Sequence, residues 1–222
     1  MTLSDWQMLG LTFGLAALAI FAALPLAMWL AWLLARKNWF GKTLVETVAM
    51  MPLVMPPVAT GLLLLKLFGK RGWIGSLLFE HLGIEIIFTW KAVVLALSVM
   101  VFPLLVRSLR TAFEDIPDHL EAAAKSLGGN GVRIFWKISL PLARRGIVAG
   151  VLLSFARAVG EFGATVMVAG FIPGLTETLS LSIYRSVQVG DDARALSLVG
   201  VSAVFGFIAV FISSRLSPRR GK

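Results

Sequence analysis

Ser154, Arg157, Glu161 and Thr165 sit in a run that is otherwise almost wholly apolar, and they are three or four residues apart. On one continuous helix that spacing aligns all four on a single face. A guanidinium presents a rigid fork of donors that fits a carboxylate or an oxyanion, and a glutamate four residues later is placed to pair with it. An ionised side chain at the centre of a membrane helix costs about 2.5–3.5 kcal/mol on insertion scales, so both charges should turn inward. Two outcomes stay open. Either this face lines the path or gate of an anion, with Arg157 lending its charge, or Arg157 and Glu161 form a buried structural pair with little net charge left for a ligand.

A second concentration of polar groups runs from Arg107 to Arg145, the one long polar stretch between apolar runs. It contains Glu121-Ala122-Ala123-Ala124-Lys125-Ser126-Leu127-Gly128 and, further on, Ile138-Ser139-Leu140-Pro141. Asp118 and Glu121 have the spacing of a reciprocal helix cap. Leu120, Ala123, Ala124 and Leu127 then make one apolar stripe, and Gly128-Gly129 stops the helix. A second short helix is predicted from about Gly131, with Val132, Phe135 and Trp136 on one face and Arg133 and Lys137 on another. Two short helices around a glycine-rich elbow would form a knob suited to a groove on a soluble partner. The alternative is a knob that packs on its own domain.

The elements that must carry these groups are membrane helices. The chain has 222 residues, 58% of them hydrophobic, and a mean hydropathy of +0.85, which is more apolar surface than a soluble domain of this size hides. Crossing about 30 Å of hydrocarbon takes roughly 20 apolar residues. Five stretches qualify, at about 9–35, 44–68, 88–106, 146–170 and 195–214. We therefore expect an all-α polytopic bundle forming a single domain over 1–222, with the polar loop at about 110–141. The first stretch lacks a basic leading segment and is too long for a cleavable signal, so it is expected to stay. Pro52, Pro56 and Pro57 predict a bent second span buried within the bundle, where neighbours satisfy the freed carbonyls. Residues 171–194 are too polar to cross and predict a surface turn followed by a short amphipathic helix. Gly146 and Gly150, like Gly10 and Gly14, have the small-xxx-small spacing of close helix contacts, a dimer contact among them.

Net charge is +9, but its distribution is topological. Arg36, Lys37 and Lys42 follow the first span, Arg107, Arg110, Lys125, Arg133, Lys137, Arg144 and Arg145 follow the third, and Arg215, Arg219, Arg220 and Lys222 follow the last. The opposite loops dilute Lys70, Arg71, Arg185 and Arg194 with Glu80, Glu85, Glu177, Asp191 and Asp192. The positive-inside rule then puts the N-terminus outside and the C-terminus inside, and a nucleic-acid partner is not expected.

Several chemistries drop out. With no cysteine, thiol catalysis and thiolate metal sites are excluded. Gly41-Lys42-Thr43 lacks the leading glycine of a phosphate-binding loop, whose position falls on Arg36. His81 and His119 lie in loops on opposite sides and share no metal. Glu114, Asp115 and Asp118 read as helix caps or solvated acids. No cofactor or metal is expected on this chain.

The polar loop resembles the EAA loop of ABC importer permeases, carried by Ala122-Ala123-Ala124, Gly128 and Ile138-x-Leu140-Pro141. The run Ser154-Phe155-Ala156-Arg157-Ala158-Val159-Gly160-Glu161-Phe162-Gly163-Ala164-Thr165, with Ile172-Pro173-Gly174, Ile183-Tyr184 and Met51-Pro52-Leu53-Val54-Met55-Pro56-Pro57, is similar to the molybdate branch of type I importer permeases. Counting back from Gly128, the family's glutamate position falls on Ala122, with Glu121 one residue early. Two roles therefore stay open for Glu121, the family's contact and a helix cap. The resemblance implies one half of a homodimer in the cytoplasmic (inner) membrane. It also implies a partner ATPase that holds ATP and Mg and docks on Glu121, Ala122, Ala123, Gly128, Ile138, Leu140 and Pro141. A binding protein would deliver molybdate from outside. Sulfate or thiosulfate is the alternative cargo. A membrane-embedded enzyme built on Arg157 and Glu161, or a passive channel, is the alternative of another kind.

Overall fold

The computed structural model describes residues 3–216, and those residues form helices and connections without a strand. In chain order the helices are α1 (Leu3–Arg36), α2 (Lys42–Val54), α3 (Pro57–Phe68), α4 (Trp73–Leu82), α5 (Trp90–Glu114), α6 (Asp118–Ser126), α7 (Gly131–Ile134), α8 (Leu140–Val159), α9 (Gly163–Ala169), α10 (Leu179–Gln188) and α11 (Asp192–Leu216). Four stretches are long and apolar enough to cross a bilayer: α1, α5, Gly131–Val159 and α11. The pair α2 and α3 makes a fifth if taken as one broken span.

That pair is bent by 110°. Met55 and Pro56 are both extended, as residues preceding a proline prefer, and Pro57 opens α3, where its missing amide leaves no gap. Pro52 stays inside α2. The expected bend is therefore a complete break, made by two of the three prolines. The expected burial fails for the first half. No residue of α2 is buried, whereas α3 buries Thr60, Gly61 and Leu64 and packs against α9.

α5 is the centre of the bundle, packed on α1 and α8 and, to a lesser degree, on α9 and α2. α1 presents it with a ridge of Ala16, Ala19, Ala23, Ala27 and Ala31, all buried, and α5 answers with Val93, Ala96, Leu97, Val101 and Leu105. Lipid tails are as apolar as leucine, so such a seam is held by close van der Waals packing and not by escape from water. Small side chains permit that closeness. On the other flank, an added Cβ at Gly146 or Gly150 would lie 2.6 Å from the Cβ of Ala112 or Ser108 on α5. This glycine pair is thus used within the chain, as the close helix contact that its spacing implied. Gly10 and Gly14 face open space.

The helices gather the charges at two ends. Arg36, Arg107, Arg110, Lys125, Arg133, Arg144, Arg145 and Arg215 lie at the end of α6, while Asp5, at the start of α1, pairs with Arg194, at the start of α11. Arg219, Arg220 and Lys222 lie outside the described residues. Residues 171–194 sit at the acidic end as the expected surface turn, exposed at 172–175, and short amphipathic helix, with Tyr184, Arg185 and Val187 of α10 exposed. Leu179, Leu181, Ser182 and Ser186 of α10 are buried, and the Leu179 amide donates to the Thr12 hydroxyl of α1 at 3.0 Å. Backbone donors satisfied by neighbouring helices let this polar segment pack inward.

The two glycine pairs should part company on substitution. Gly150→Ala is expected to lower stability by about 1–3 kcal/mol through overpacking against α5, while Gly14→Ala leaves it equal or slightly higher. Thermal unfolding of both variants in detergent, with the same yield of monodisperse protein for Gly14→Ala, checks this.

Candidate functional site

Between α5 and α8 the chain builds a short projecting unit. α6 is nine residues long and ends in a Schellman turn. The Gly129 amide donates to the Ala124 carbonyl and the Gly128 amide to the Lys125 carbonyl, each at 3.0 Å. Gly128 has φ of 80°, where a side chain is strained. Asn130 then caps the next helix, accepting from the Arg133 amide at 2.8 Å. That helix is not a second short piece. It runs on from Gly131 through a widened turn at Phe135–Ser139, where the Leu140 amide reaches back five residues to the Phe135 carbonyl, and continues as α8. The wide turn gives Pro141 room inside a continuous helix, where its ring would otherwise meet the preceding turn.

α6 is turned inside out relative to a helix packed on its own domain. Its one buried residue is Glu121, while Leu120, Ala122 and Ala123 are exposed and Leu127 is 89% exposed. Val132 and Trp136, at 69% and 62% exposed, extend the same uncovered surface, with Ile138 and Leu140 half-buried and Pro141 exposed behind them.

The polar side faces the bundle. The Glu121 carboxylate accepts from the Ser139 hydroxyl at 2.8 Å and lies 3.2 Å from Nε of Arg36, near enough for charge pairing although that N–H is not aimed at it. Arg36 also donates to the Asp118 carboxylate and, at 3.0 Å, to the Ile116 carbonyl. The expected capping box is absent, since Pro117 precedes the helix and Asp118 makes no cap. Both acids are spent on Arg36 instead. Glu114, expected to be a cap or solvated, pairs with Arg110 at 2.6 Å, and Arg110 pairs in addition with Glu46 of α2.

At the other end, the helix carrying Arg157 stops at Val159, and Glu161 lies in the break before α9. The four polar residues are therefore not one helical face. Arg157 and Glu161 do meet, at 2.7 Å, with the Arg157 side chain 38% exposed and that of Glu161 2%. The second Glu161 oxygen accepts from the Ala164 amide at 3.1 Å, satisfying a donor that the start of α9 would leave unpaired. Ser154 and Thr165 are fully buried, their hydroxyls have no hydrogen-bond partner, and neither joins the pair. No group of three or more His, Cys, Asp or Glu that could hold a metal occurs among the described residues.

Arg36 and Ser139 hold the polar side of α6 together, and no motif in the sequence marks either. Arg36 looked like one more inward-side charge, and its partners are some eighty residues away.

Residues 23–222 match the family model described as binding-protein-dependent transport system inner membrane component. The chain belongs to this family. The permease is 41% identical over 215 residues to the molybdenum transport system permease protein ModB of Haemophilus influenzae, covering 96% of this chain and 94% of that protein. It is 42% identical over 214 residues to ModB of Escherichia coli K12, covering 96% and 93%. A sulfate transport system permease protein, CysW of Synechocystis, is 35% identical over 191 residues, covering 86% of this chain and 69% of that protein. Among solved structures, a bacterial alginate ABC transporter in complex with an alginate-bound periplasmic protein superposes with TM-score 0.73 at 16% identity, covering 99% of this chain and 80% of that one. The inward-facing MetNI methionine ABC transporter gives 0.66 at 18%, covering 95% and 91%. The permease thus has the type I importer fold, as the sequence resemblance implied.

Replacing Glu121 by Ala should lower the permease's stability by about 1–3 kcal/mol, because the buried Ser139 hydroxyl loses its shorter hydrogen bond and Arg36 loses a buried countercharge. Leu127→Ala, at an exposed position, should change it by less than about 0.5 kcal/mol. Thermal melts of the isolated permease distinguish the two.

Proposed function

We propose that this chain is the membrane-spanning subunit of an ATP-driven importer of molybdate, working as a homodimer in the cytoplasmic membrane with its N-terminus outside and the α6 end inside. One observation carries the coupling role. The nine-residue α6 buries its acid and exposes Leu120, Ala123 and Leu127 next to Val132 and Trp136. Apolar groups turned away from their own domain mark a surface for another protein. Its place at the basic end supports a cytoplasmic ATPase as occupant, by the positive-inside rule. ATP and Mg belong to that partner, which grips Ala122, Ala123, Gly128, Ile138, Leu140 and Pro141. Glu121 stays within the permease. The molybdenum permeases that it resembles across nearly their whole length support the cargo.

A binding protein delivers the anion to the acidic end, and the path passes Arg157, Glu161, Ser154 and Thr165. Of these four, the Arg157 side chain, 38% exposed, is the group that a passing anion can reach, while Ser154 and Thr165 are fully buried. The break at Pro56-Pro57 lets α3 lie against α9 beside this path. The sulfate reading rests on the Synechocystis relative, and competition decides it.

Vesicles holding the permease, its ATPase and its binding protein should accumulate molybdate only with ATP. Vesicles with the permease alone should neither accumulate nor leak it, and excess sulfate should not block uptake. Gly128→Leu should cut ATPase co-purification by about tenfold or more, since it strains the turn and blocks the docking surface. Arg157→Gln should slow uptake at equal membrane levels, and unchanged uptake would place the path elsewhere.

A further inference from the structure

We propose that Arg36 is a positioning residue that ties α6 to the end of α1, so that a push on α6 reaches α1 and α5 directly as well as along the chain into α8. This rests on the reading of α6 as the ATPase-docking element.

Three observations carry it. α6 has little apolar surface against the bundle, since Glu121 is its one buried residue and Ala124 is half-buried. Its attachment is therefore polar, and Arg36 is at the centre of it, meeting Asp118 at the first residue of the helix, Glu121 one turn on, and the Ile116 carbonyl just before. Its side chain is 9% exposed and that of Glu121 12%, so this pairing is little screened by water, whereas Asp118 is 95% exposed and its pairing with Arg36 is solvated. A guanidinium engages several acceptors in fixed directions, whereas an ammonium acts as a point charge. Arg36 is also the last residue of a helix whose buried alanine ridge lies on α5, so a force applied at its tip moves a packed pair and not a loose end. Glu121 meanwhile holds Ser139, in the wide turn that leads into α8. α1, α6 and the root of α8 thus converge on one carboxylate.

The test uses the full complex of permease, ATPase and binding protein, with Arg36→Gln, Arg36→Lys and Asp118→Asn. Transported anion per ATP hydrolysed should fall about tenfold in Arg36→Gln and less in Arg36→Lys, while ATPase co-purification stays within about twofold. The chain has no cysteine, so Lys37→Cys and Lys125→Cys, both at exposed positions, place spin labels on α1's end and on α6. Their distance distribution should be narrow and the same with and without nucleotide in the parent, and broad in Arg36→Gln. An Arg36→Gln complex with the parent's transport ratio, or with the parent's narrow distribution, overturns the proposal. If that variant does not assemble, Asp118→Asn decides by the same two readouts. A parent complex that hydrolyses ATP without transport would instead sink the importer reading, and the label distances would still judge the tie.

Discussion

The fold depends on α5 holding a neighbour at close range on each side. Both contacts are possible because the facing helix offers small residues, alanines along α1 and Gly146 with Gly150 on α8. Without a solvent-driven force between apolar helices in lipid, short contact distance is the main source of cohesion. Everything functional is hung from these two seams. α1 carries Arg36 to the point where it meets α6, and α8 carries Arg157 to the point where it meets Glu161.

The two ends of the molecule then use ion pairs in different ways. At the basic end, Arg36 draws Glu121 of α6 inward while Asp118 stays exposed, and the apolar side of α6 faces out, the reverse of an ordinary surface helix. The pair energies are modest where water reaches them. Their larger effect is on direction, because they set which face of α6 is exposed. Arg110, shared between Glu46 and Glu114, does the same for α2, a helix with no buried residue of its own. At the acidic end Arg194 joins Asp5 and lies 4.0 Å from Glu177, which closes the bundle there.

Much of this was legible in the residues. Hydropathy marked the apolar helices, although the fourth, expected over 146–170, runs from Gly131 to Val159; the prolines pointed to a bend in the second, and the glycines after Leu127 marked the end of α6. The family followed from the loop and from the run around Arg157. What escaped reading has common physical causes. A five-residue pairing of Leu140 with Phe135 makes one helix of what looked like two pieces, and no periodicity predicts such a turn. The break at Gly160 hides inside an apolar run, so a spacing argument that assumed one helix put Ser154 and Thr165 on a shared face. The spacing of Gly146 and Gly150 marked a close contact without naming its partner, because spacing gives the shape of a seam and not the identity of what fills it. Asp118 and Glu121 had cap spacing, and the competing partner was a guanidinium some eighty positions away.

The break between α8 and α9 carries one more implication. Across most helix interruptions the backbone sets the angle, through a proline or a glycine. Here one carboxylate grips the Arg157 head group on one side and the Ala164 amide on the other, so the angle is set by a side chain. A joint of that kind is adjustable: whatever moves the carboxylate takes the cap from the first turn of α9.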